Sequence, residues 1–166
     1  MDVAIIWNPG TLRGDWSIVN GDLALGDALE SAVLISIFSD GLLPQQPTPA
    51  DVTVGITEPS GTPGTADADR GGWWGDAFSD VPIGSRLRQL KRAIKSGTAA
   101  IPLEVQAIVA EALQWMIDDG IAASVNVAAR WAAGSATTVE FTVTITEPGA
   151  TTPRTFTYSW AWKELT

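Results

Sequence analysis

Strict alternation of apolar and polar residues near the end of the chain is the feature that most constrains its fold. Three successive runs each place their apolar residues on one face: Val125, Val127, Ala129 and Trp131; Val139, Phe141, Val143 and Ile145; Phe156, Tyr158, Trp160 and Trp162. Because side chains alternate across a β-strand, each run predicts a strand with one buried face. Turn residues at Gly134-Ser135 and Pro148-Gly149 separate the runs, so the sequence predicts a three-stranded antiparallel meander.

A sheet with one apolar face needs another element to cover it, and two helical patterns precede the meander. Residues 101–119 are apolar around most of the helix circumference, which predicts a mostly buried helix with Pro102 in its first turn and Gly120 as C-cap. Ser85–Lys95 is predicted to be a helix with a basic face that is solvated, binds phosphate, or pairs with the acidic N-terminal part of this chain or of a neighbour: Arg88, Lys91, Arg92 and Lys95. The predicted fold class is therefore α+β, with helices packed on one face of a small antiparallel sheet that includes the C-terminal three-stranded meander.

The first forty residues predict a strand, a hairpin and a helix in that order. Val3–Trp7 is a short apolar run, and Asn20-Gly21 between apolar runs is a hairpin signal. Apolar residues recur at helical spacing within Asp27–Ser39, with Asp27 as the expected N-cap and Gly41 as the expected end.

The segment 41–69 is rich in Pro, Gly, Thr and Asp, which predicts a long loop or arm with one short strand at Val52–Ile56. We therefore expect a single domain over 1–166. Its parts are the N-terminal hairpin and helix in 1–40, the loop or arm in 41–69, and a helix-helix-meander core in 70–166.

Composition excludes several classes of function. The chain has no cysteine and no histidine, which removes disulfides, thiolate nucleophiles, Cys/His zinc sites and Ser-His-Asp triads. The net charge is −9, and the whole excess lies before Arg70, where ten acidic side chains face one basic one. Such a surface repels phosphate backbones, so no nucleic-acid partner is expected. We also expect no membrane partner, because no apolar run reaches transmembrane length and the N-terminus lacks a signal-peptide pattern.

Two adjacent tryptophans among three glycines mark residues 70–78 as an ordered loop, because a flexible linker has no need of large aromatic surfaces. We expect Arg70 and Asp76 to fix this loop by hydrogen bonds. One tryptophan is expected to pack on the core and the other to serve an interface. The candidate residues of this structural loop or interface are Arg70, Gly72, Trp73, Trp74, Gly75, Asp76 and Phe78.

The carboxylates give no catalytic or metal-binding pattern. Asp118 and Asp119 point about 100° apart on a helix, so they do not converge on one ligand. Asp67, Asp69, Asp76 and Asp80 do not have the spacing of a calcium loop, and no carboxylate pair is singled out for glycoside hydrolysis. We therefore predict no catalytic, metal-binding or cofactor-binding residue, no cofactor, and a protein that is not an enzyme.

The order of motifs along the chain resembles the Mu-like phage baseplate protein family of contractile tails. The motifs, in chain order, are Gly-Asp-Leu-Ala-Leu at 21–25, the apolar segment Leu29–Phe38 ending in Ser-Asp-Gly at 39–41, Arg-Gly-Gly-Trp-Trp-Gly-Asp at 70–76, Gly-Ser-Arg-Leu at 84–87, and Glu-Ala-Leu-Gln-Trp-Met-Ile-Asp-Asp-Gly at 111–120 before the threonine-rich meander. The resemblance covers roughly residues 15–162. This family in turn is similar to the baseplate wedge and sheath-initiator proteins of other contractile tails.

The resemblance implies a structural virion protein of the tail baseplate, assembled in the bacterial host cytoplasm and oligomeric only in the assembled tail. It implies other baseplate and wedge proteins and tail sheath subunits as partners. Sheath initiators offer a sheet edge to strands of other subunits. The last strand therefore gives a possible strand-addition edge, with Phe156, Tyr158, Trp160 and Trp162. Two alternatives stay open: a lysozyme-like cell-wall-degrading tail enzyme, and a carbohydrate-binding module that uses Trp73, Trp74 or Trp131.

Overall fold

The structure is a computed structural model that describes residues 2–8, 13–53, 56, 70–73, 76, 78, 80–92 and 99–161. Six short strands open the chain: β1 (Asp2–Val3), β2 (Ile5–Asn8), β3 (Arg13–Trp16), β4 (Ile18–Val19), β5 (Asp22–Leu23) and β6 (Leu25–Gly26). They pair antiparallel as β1–β6, β2–β3 and β4–β5. The strand predicted at Val3–Trp7 is interrupted at Ala4, whose amide donates to the carbonyl of Ala24 instead.

The predicted hairpin at Asn20-Gly21 is confirmed. Ile18 pairs with Leu23 and Val19 with Asp22, so the two intervening residues form the turn. Both have positive φ, 54° at Asn20 and 83° at Gly21, which is the backbone conformation that a two-residue type I′ hairpin requires.

Helix α1 (Ala28–Phe38) begins as predicted but ends differently. The Asp27 side chain accepts a hydrogen bond from the amide of Leu29, which confirms it as the N-cap. Gly41 does not terminate the helix, because Ser39 already has extended backbone. Gly41 instead donates its amide to the carbonyl of Ser85 at 2.8 Å, so its small size serves a contact between two distant segments.

The strand predicted at Val52–Ile56 is wrong, because Val52 lies in helix α2 (Pro49–Thr53). The local chemistry explains the helix. The Asp51 carboxylate accepts from the amide and hydroxyl of Thr48, and the Thr48 hydroxyl accepts from the amide of Asp51. This reciprocal cap, with Pro49 in the first turn, favours helix over strand. Asp51 and Ile56 are both buried.

The helix predicted at Ser85–Lys95 is a 3₁₀-helix over Leu87–Arg92, and residues 93–98, including Lys95, lie outside the described residues. The next helical segment consists of α3 (Ala100–Ala112) and α4 (Gln114–Asp118). The break between them lies at Leu113, where φ is −104° and ψ is 0°. Gly120, with φ of 71°, follows the C-cap Asp119, so its predicted role at the helix end is confirmed.

The expectation that this helix is mostly buried is wrong for its outer side. Ile101, Val105 and Ile108 are buried, whereas Leu103 on the opposite side is 67% exposed. One side packs against the sheet and α1, and no described element covers the other. The expectation that no apolar run reaches transmembrane length is wrong for Ala100–Asp118, which is long and apolar enough to cross a membrane by length and composition alone. Its inner face, however, belongs to the protein core.

The C-terminal meander is confirmed as β7 (Ser124–Trp131), β8 (Thr138–Thr146) and β9 (Arg154–Ala161), in the order β7-β8-β9. The predicted apolar faces point toward the helices, and Val139, Phe141, Val143 and Ile145 are buried. At the end of α1, the Phe38 ring lies 6.0 Å from that of Trp160 and 5.7 Å from that of Tyr158. Helices therefore pack on one face of the antiparallel sheet, and the α+β fold class is confirmed.

Candidate functional site

The loop at 70–76 is held by its two predicted polar residues. The Arg70 guanidinium donates from Nε and Nη2 to the carbonyl of Leu43, at 3.0 and 2.9 Å, and the Leu43 amide donates back to the Arg70 carbonyl at 2.8 Å. The Asp76 carboxylate accepts from the amide of Trp73 at 3.1 Å and from that of Ile83 at 2.9 Å. The loop is therefore fixed to the chain both before and after it, as expected for these two residues.

The carboxylate of Asp40, in the acidic N-terminal part of the chain, contacts both the loop at 70–76 and Arg88. Its Oδ2 is 2.6 Å from the Arg88 guanidinium and accepts from the amide of Gly72 at 3.3 Å. Arg88, predicted on a solvated or phosphate-binding face, is thus paired with the acidic part of the same chain. Gly72 has φ of 93°, a conformation that favours glycine, and a Cβ there would lie 2.6 Å from Cδ2 of Leu42, so that side chain would have to shift.

A second close approach joins residues 39–41 to 84–85. Asp40 and Ser85 form an isolated parallel bridge, and the amide of Ser85 donates to the carbonyl of Ser39 at 3.0 Å. Gly84 has φ of 102°, and a Cβ there would lie 2.8 Å from the Ser39 oxygen. Both residues lie in motifs of the family resemblance, Ser-Asp-Gly at 39–41 and Gly-Ser-Arg-Leu at 84–87, but the sequence did not predict that they contact each other. The local signal is that each adjoins a glycine that permits this contact.

Two aromatic residues of the loop, Trp73 and Phe78, are exposed to solvent. Trp73 is 43% exposed, so it is not the core ring expected for one of the two tryptophans, and Phe78 is 85% exposed. Trp74 and Gly75 lie outside the described residues. The loop thus presents aromatic surface to solvent on a backbone that hydrogen bonds hold in place.

The acidic residues of α2 and α3 surround Arg86. Its Nη1 lies 2.6 Å from Asp51 and its Nη2 lies 2.6 Å from Glu111. Burial raises the pKa of the Asp51 carboxyl, but hydrogen bonds from Thr48 and Arg86 outweigh burial, and the net pKa is below its ordinary value. Burial and the charges of Asp51 and Glu111 hold the pKa of Glu104 above its ordinary value. Among the side chains that the structure describes, no group of three metal-ligating residues converges.

Strand β9 forms an edge of the sheet, and no strand among the described residues pairs with its other side. The amide of Ala132 donates to the carbonyl of Thr138, which continues the register of β7 and β8. The backbone N–H and C=O groups of successive residues point alternately to the two sides of a strand. Because those of Thr138 point toward β7, those of Val139 point toward β9, and the alternation continues along β8. By the β8–β9 register, the backbone groups that point to the outer edge of β9 are those of Thr155, Thr157, Ser159 and Ala161.

A cavity of about 440 Å³ lies along this edge. Two carboxylates, Glu30 and Glu140, contribute to its wall, and Ile6 adds an apolar contact. The rest of the wall comes from β9 itself: Thr155, Phe156, Thr157, Tyr158 and Ser159. Of the predicted edge residues, Phe156, Tyr158 and Trp160 therefore belong to the described strand, with their side chains on its inner face, whereas Trp162 lies outside the described residues.

Comparison with known proteins finds one family and close relatives of phage origin. A sequence model of the family described as "Phage protein GP46" matches residues 29–152. The chain is 32% identical over 161 residues to "Mu-like prophage FluMu protein gp46" of Haemophilus influenzae (strain ATCC 51907 / DSM 11121 / KW20 / Rd), covering 96% of this chain and 98% of that protein. It is 36% identical over 128 residues to "Baseplate protein gp46" of Escherichia phage Mu, covering 77% and 76% respectively.

Proposed function

The chain belongs to the GP46 family of phage proteins, and we propose that it is a structural component of a phage or prophage tail baseplate. Its relative in phage Mu is named a baseplate protein, which supports this role. We further propose a contractile tail, in which the protein contributes to wedge assembly and sheath initiation through protein–protein contacts. Its partners are then other baseplate and wedge proteins and tail sheath subunits, met during assembly in the host cytoplasm.

The outer edge of β9 is the observation that carries the sheath-initiation proposal. An edge strand presents a row of backbone donors and acceptors to which another chain can add a strand. Here that row belongs to Thr155, Thr157 and Ser159, which also line the cavity beside the strand. A segment added at this edge would hydrogen-bond to these backbone groups and place alternate side chains on the two faces of the sheet.

The cavity also indicates which segment fits. Glu30 lies on the wall formed by α1, and Glu140 lies on the solvent face of the sheet next to Ser159. On the inner face of the added strand, apolar residues would contact Ile6 and Phe156, and a basic residue would complement Glu30. On the outer face the strand would lie beside Glu140, which already pairs with Arg130. The proposed partner is therefore an extended segment with apolar residues and at least one basic residue on its inner face.

The loop with Trp73 and Phe78 is proposed as a second contact surface, toward baseplate or wedge proteins. Hydrogen bonds of Arg70 and Asp76 fix the backbone of this loop, and aromatic rings are exposed on it. A partner that binds these rings would therefore lose little free energy to ordering of the loop. Aromatic residues on an ordered backbone are typical of the energetic centres of protein interfaces.

We also propose that the protein is not an enzyme. The buried carboxylate of Asp51 is engaged by Arg86, as is the exposed one of Glu111. A peptidoglycan turbidity assay with the purified chain tests this statement. We expect no clearing, whereas clearing that disappears in Glu104→Gln would identify a lysozyme-like activity.

Substitution of Thr157 tests the strand-addition edge. Thr157→Pro removes one backbone donor from the outer edge but leaves the hydrogen bonds between β8 and β9 in place. Thr157→Ala is the matched control, because both variants lose the hydroxyl that lies 3.4 Å from that of Thr142. The measurement is the fraction of tails with polymerised sheath in electron micrographs of the phage or prophage that carries the gene.

We expect sheath polymerisation to fail with Thr157→Pro and to stay normal with Thr157→Ala, while both purified variants keep a cooperative melting transition. Normal sheath with the folded proline variant would refute strand addition at this edge. Defective sheath in both variants would assign the effect to the lost hydroxyl rather than to the backbone.

A further inference from the structure

A line of mostly apolar residues is exposed along the outer side of α3 and α4, where a surface helix is normally polar. Leu103, Ala107 and Ala110 on α3 recur at spacings of four and three, and Gln114 and Ile117 on α4 continue that spacing across the turn at Leu113. These five residues, four of them apolar, are here called the outer stripe. All five are exposed, and Leu103 and Ile117 are 67% and 36% exposed. The stripe lies opposite Val105 and Val109, which face the core.

A row of carboxylates runs beside the outer stripe. Glu104, Glu111 and Asp118 follow one another at intervals of seven residues, so they lie on the same flank of the stripe. Arg86 pairs with Glu111, but it also pairs with Asp51, so one positive charge is shared between two carboxylates. Burial is the largest cause of the raised pKa of Glu104, and the charges of Asp51 and Glu111 add to it.

We propose that the outer stripe docks an amphipathic helix of a neighbouring tail protein, with Lys or Arg of that helix facing Glu104, Glu111 and Asp118. Spacings of three and four residues form the seam through which two helices pack side by side. Ala107 and Ala110 in the middle of the stripe are small, so a second helix axis can approach to about 8 Å. The acidic row gives the contact its charge preference and its orientation.

Charge argues against two other occupants. A second copy packed antiparallel through the same stripe would bring the acidic row close to its own counterpart, and the net charge of −9 adds repulsion between copies. An anionic lipid surface would be repelled by the same row, because membrane-surface helices carry basic residues on their polar flanks. A basic amphipathic helix satisfies both the apolar stripe and its flank.

This inference rests on the proposed baseplate role, but it is independent of the β9 edge. A photo-cross-linking amino acid placed at Ala107 of the full chain, in purified tails, reports what covers the stripe. The same amino acid at Ala133, an exposed residue of the β7–β8 turn, is the matched control. We expect Ala107 to cross-link to a helical segment of another tail protein with basic residues at heptad spacing, and Ala133 not to cross-link to that segment.

Ala107→Glu adds a loss-of-function measurement, since it buries an unpaired charge in the proposed seam while the exposed position tolerates it in the isolated protein. We expect incorporation into tails to fall by about tenfold or more, with Ala133→Glu unchanged. Cross-links to a second copy, to lipid or to nothing would overturn the inference while leaving the baseplate role intact. Absence of the protein from tails would overturn the baseplate role and this inference with it.

Discussion

The Arg86 guanidinium and the Asp51 carboxylate lie 2.6 Å apart and join the short helix α2 to the segment that precedes the 3₁₀-helix. The side chains are largely buried, with 18% of Arg86 and 6% of Asp51 exposed. The second nitrogen of Arg86 reaches Glu111 on α3, so one guanidinium connects three segments that are distant in sequence. The acidic N-terminal part is thereby fixed to the neutral C-terminal part by a specific charge contact.

Arg86→Ala should lower the free energy of unfolding by about 3 kcal/mol, because it leaves the buried Asp51 carboxylate without its ionic partner. Arg130→Ala is the matched control, since Arg130 pairs with Glu140 but is 81% exposed. We expect that exposed pair to contribute less than about 1 kcal/mol. Urea denaturation of both variants measures the difference, and equal losses would contradict the structural role of Arg86.

Gly84→Ala should destabilise the protein by more than Gly134→Ala, although both glycines have positive φ. A Cβ at Gly84 would lie 2.8 Å from the backbone oxygen of Ser39, whereas a Cβ at Gly134 meets nothing within 4 Å. We expect about 1 kcal/mol for the strained backbone alone and at least about 2 kcal/mol more for the clash. Thermal unfolding of the two variants makes the comparison, and similar melting temperatures would argue against the contact between residues 39–41 and 84–85.

Phe78→Ser should reduce incorporation of the protein into tails without changing the stability of the isolated protein. The side chain is 85% exposed, so the free energy of unfolding should change by less than about 0.5 kcal/mol. If the loop is an interface, incorporation into tails should nevertheless fall. A serine variant that incorporates like the wild type would remove Phe78 from the proposed contact surface.

Tyr158 provides a titration that can be assigned to one residue, because it is the only tyrosine of the chain. Burial, and to a lesser degree the charge of Glu30, raise the pKa of its hydroxyl far above the ordinary value of 10. The folded state therefore keeps a proton that the unfolded state loses, so stability falls as the pH rises above about 10. Ultraviolet absorbance should show phenolate only as circular dichroism reports unfolding, and ionisation in the folded protein at its ordinary pKa would contradict the burial.

Local patterns were sufficient to predict the meander, the hairpin and two helix termini. Alternation predicted the faces of β7, β8 and β9, because a strand places successive side chains on opposite sides regardless of context. Asn20-Gly21 predicted its turn from backbone chemistry, and Asp27 and Gly120 predicted helix termini from capping. Each of these signals is complete within a few residues of sequence.

Features that depend on distant segments were not predictable in the same way. The prediction of a strand at Val52–Ile56 overlooked the helix cap formed by Thr48 and Asp51. That aspartate also pairs with Arg86, which is distant in sequence. The contact of Asp40 with Arg88 and Gly72 joins parts of the chain that no periodicity links. The helix over 101–119 has the composition of a buried helix, yet its outer side is exposed in the described chain, a difference that motivates the proposed docking surface.

A high-resolution cryo-electron microscopy map of the tail baseplate is the most direct test of the proposed role. We expect this protein in the baseplate with an additional strand, contributed by another subunit, hydrogen-bonded to the outer backbone groups of Thr155, Thr157 and Ser159. A baseplate map that lacks the protein would contradict the baseplate role, and a map in which the outer edge of β9 is exposed to solvent would contradict strand addition.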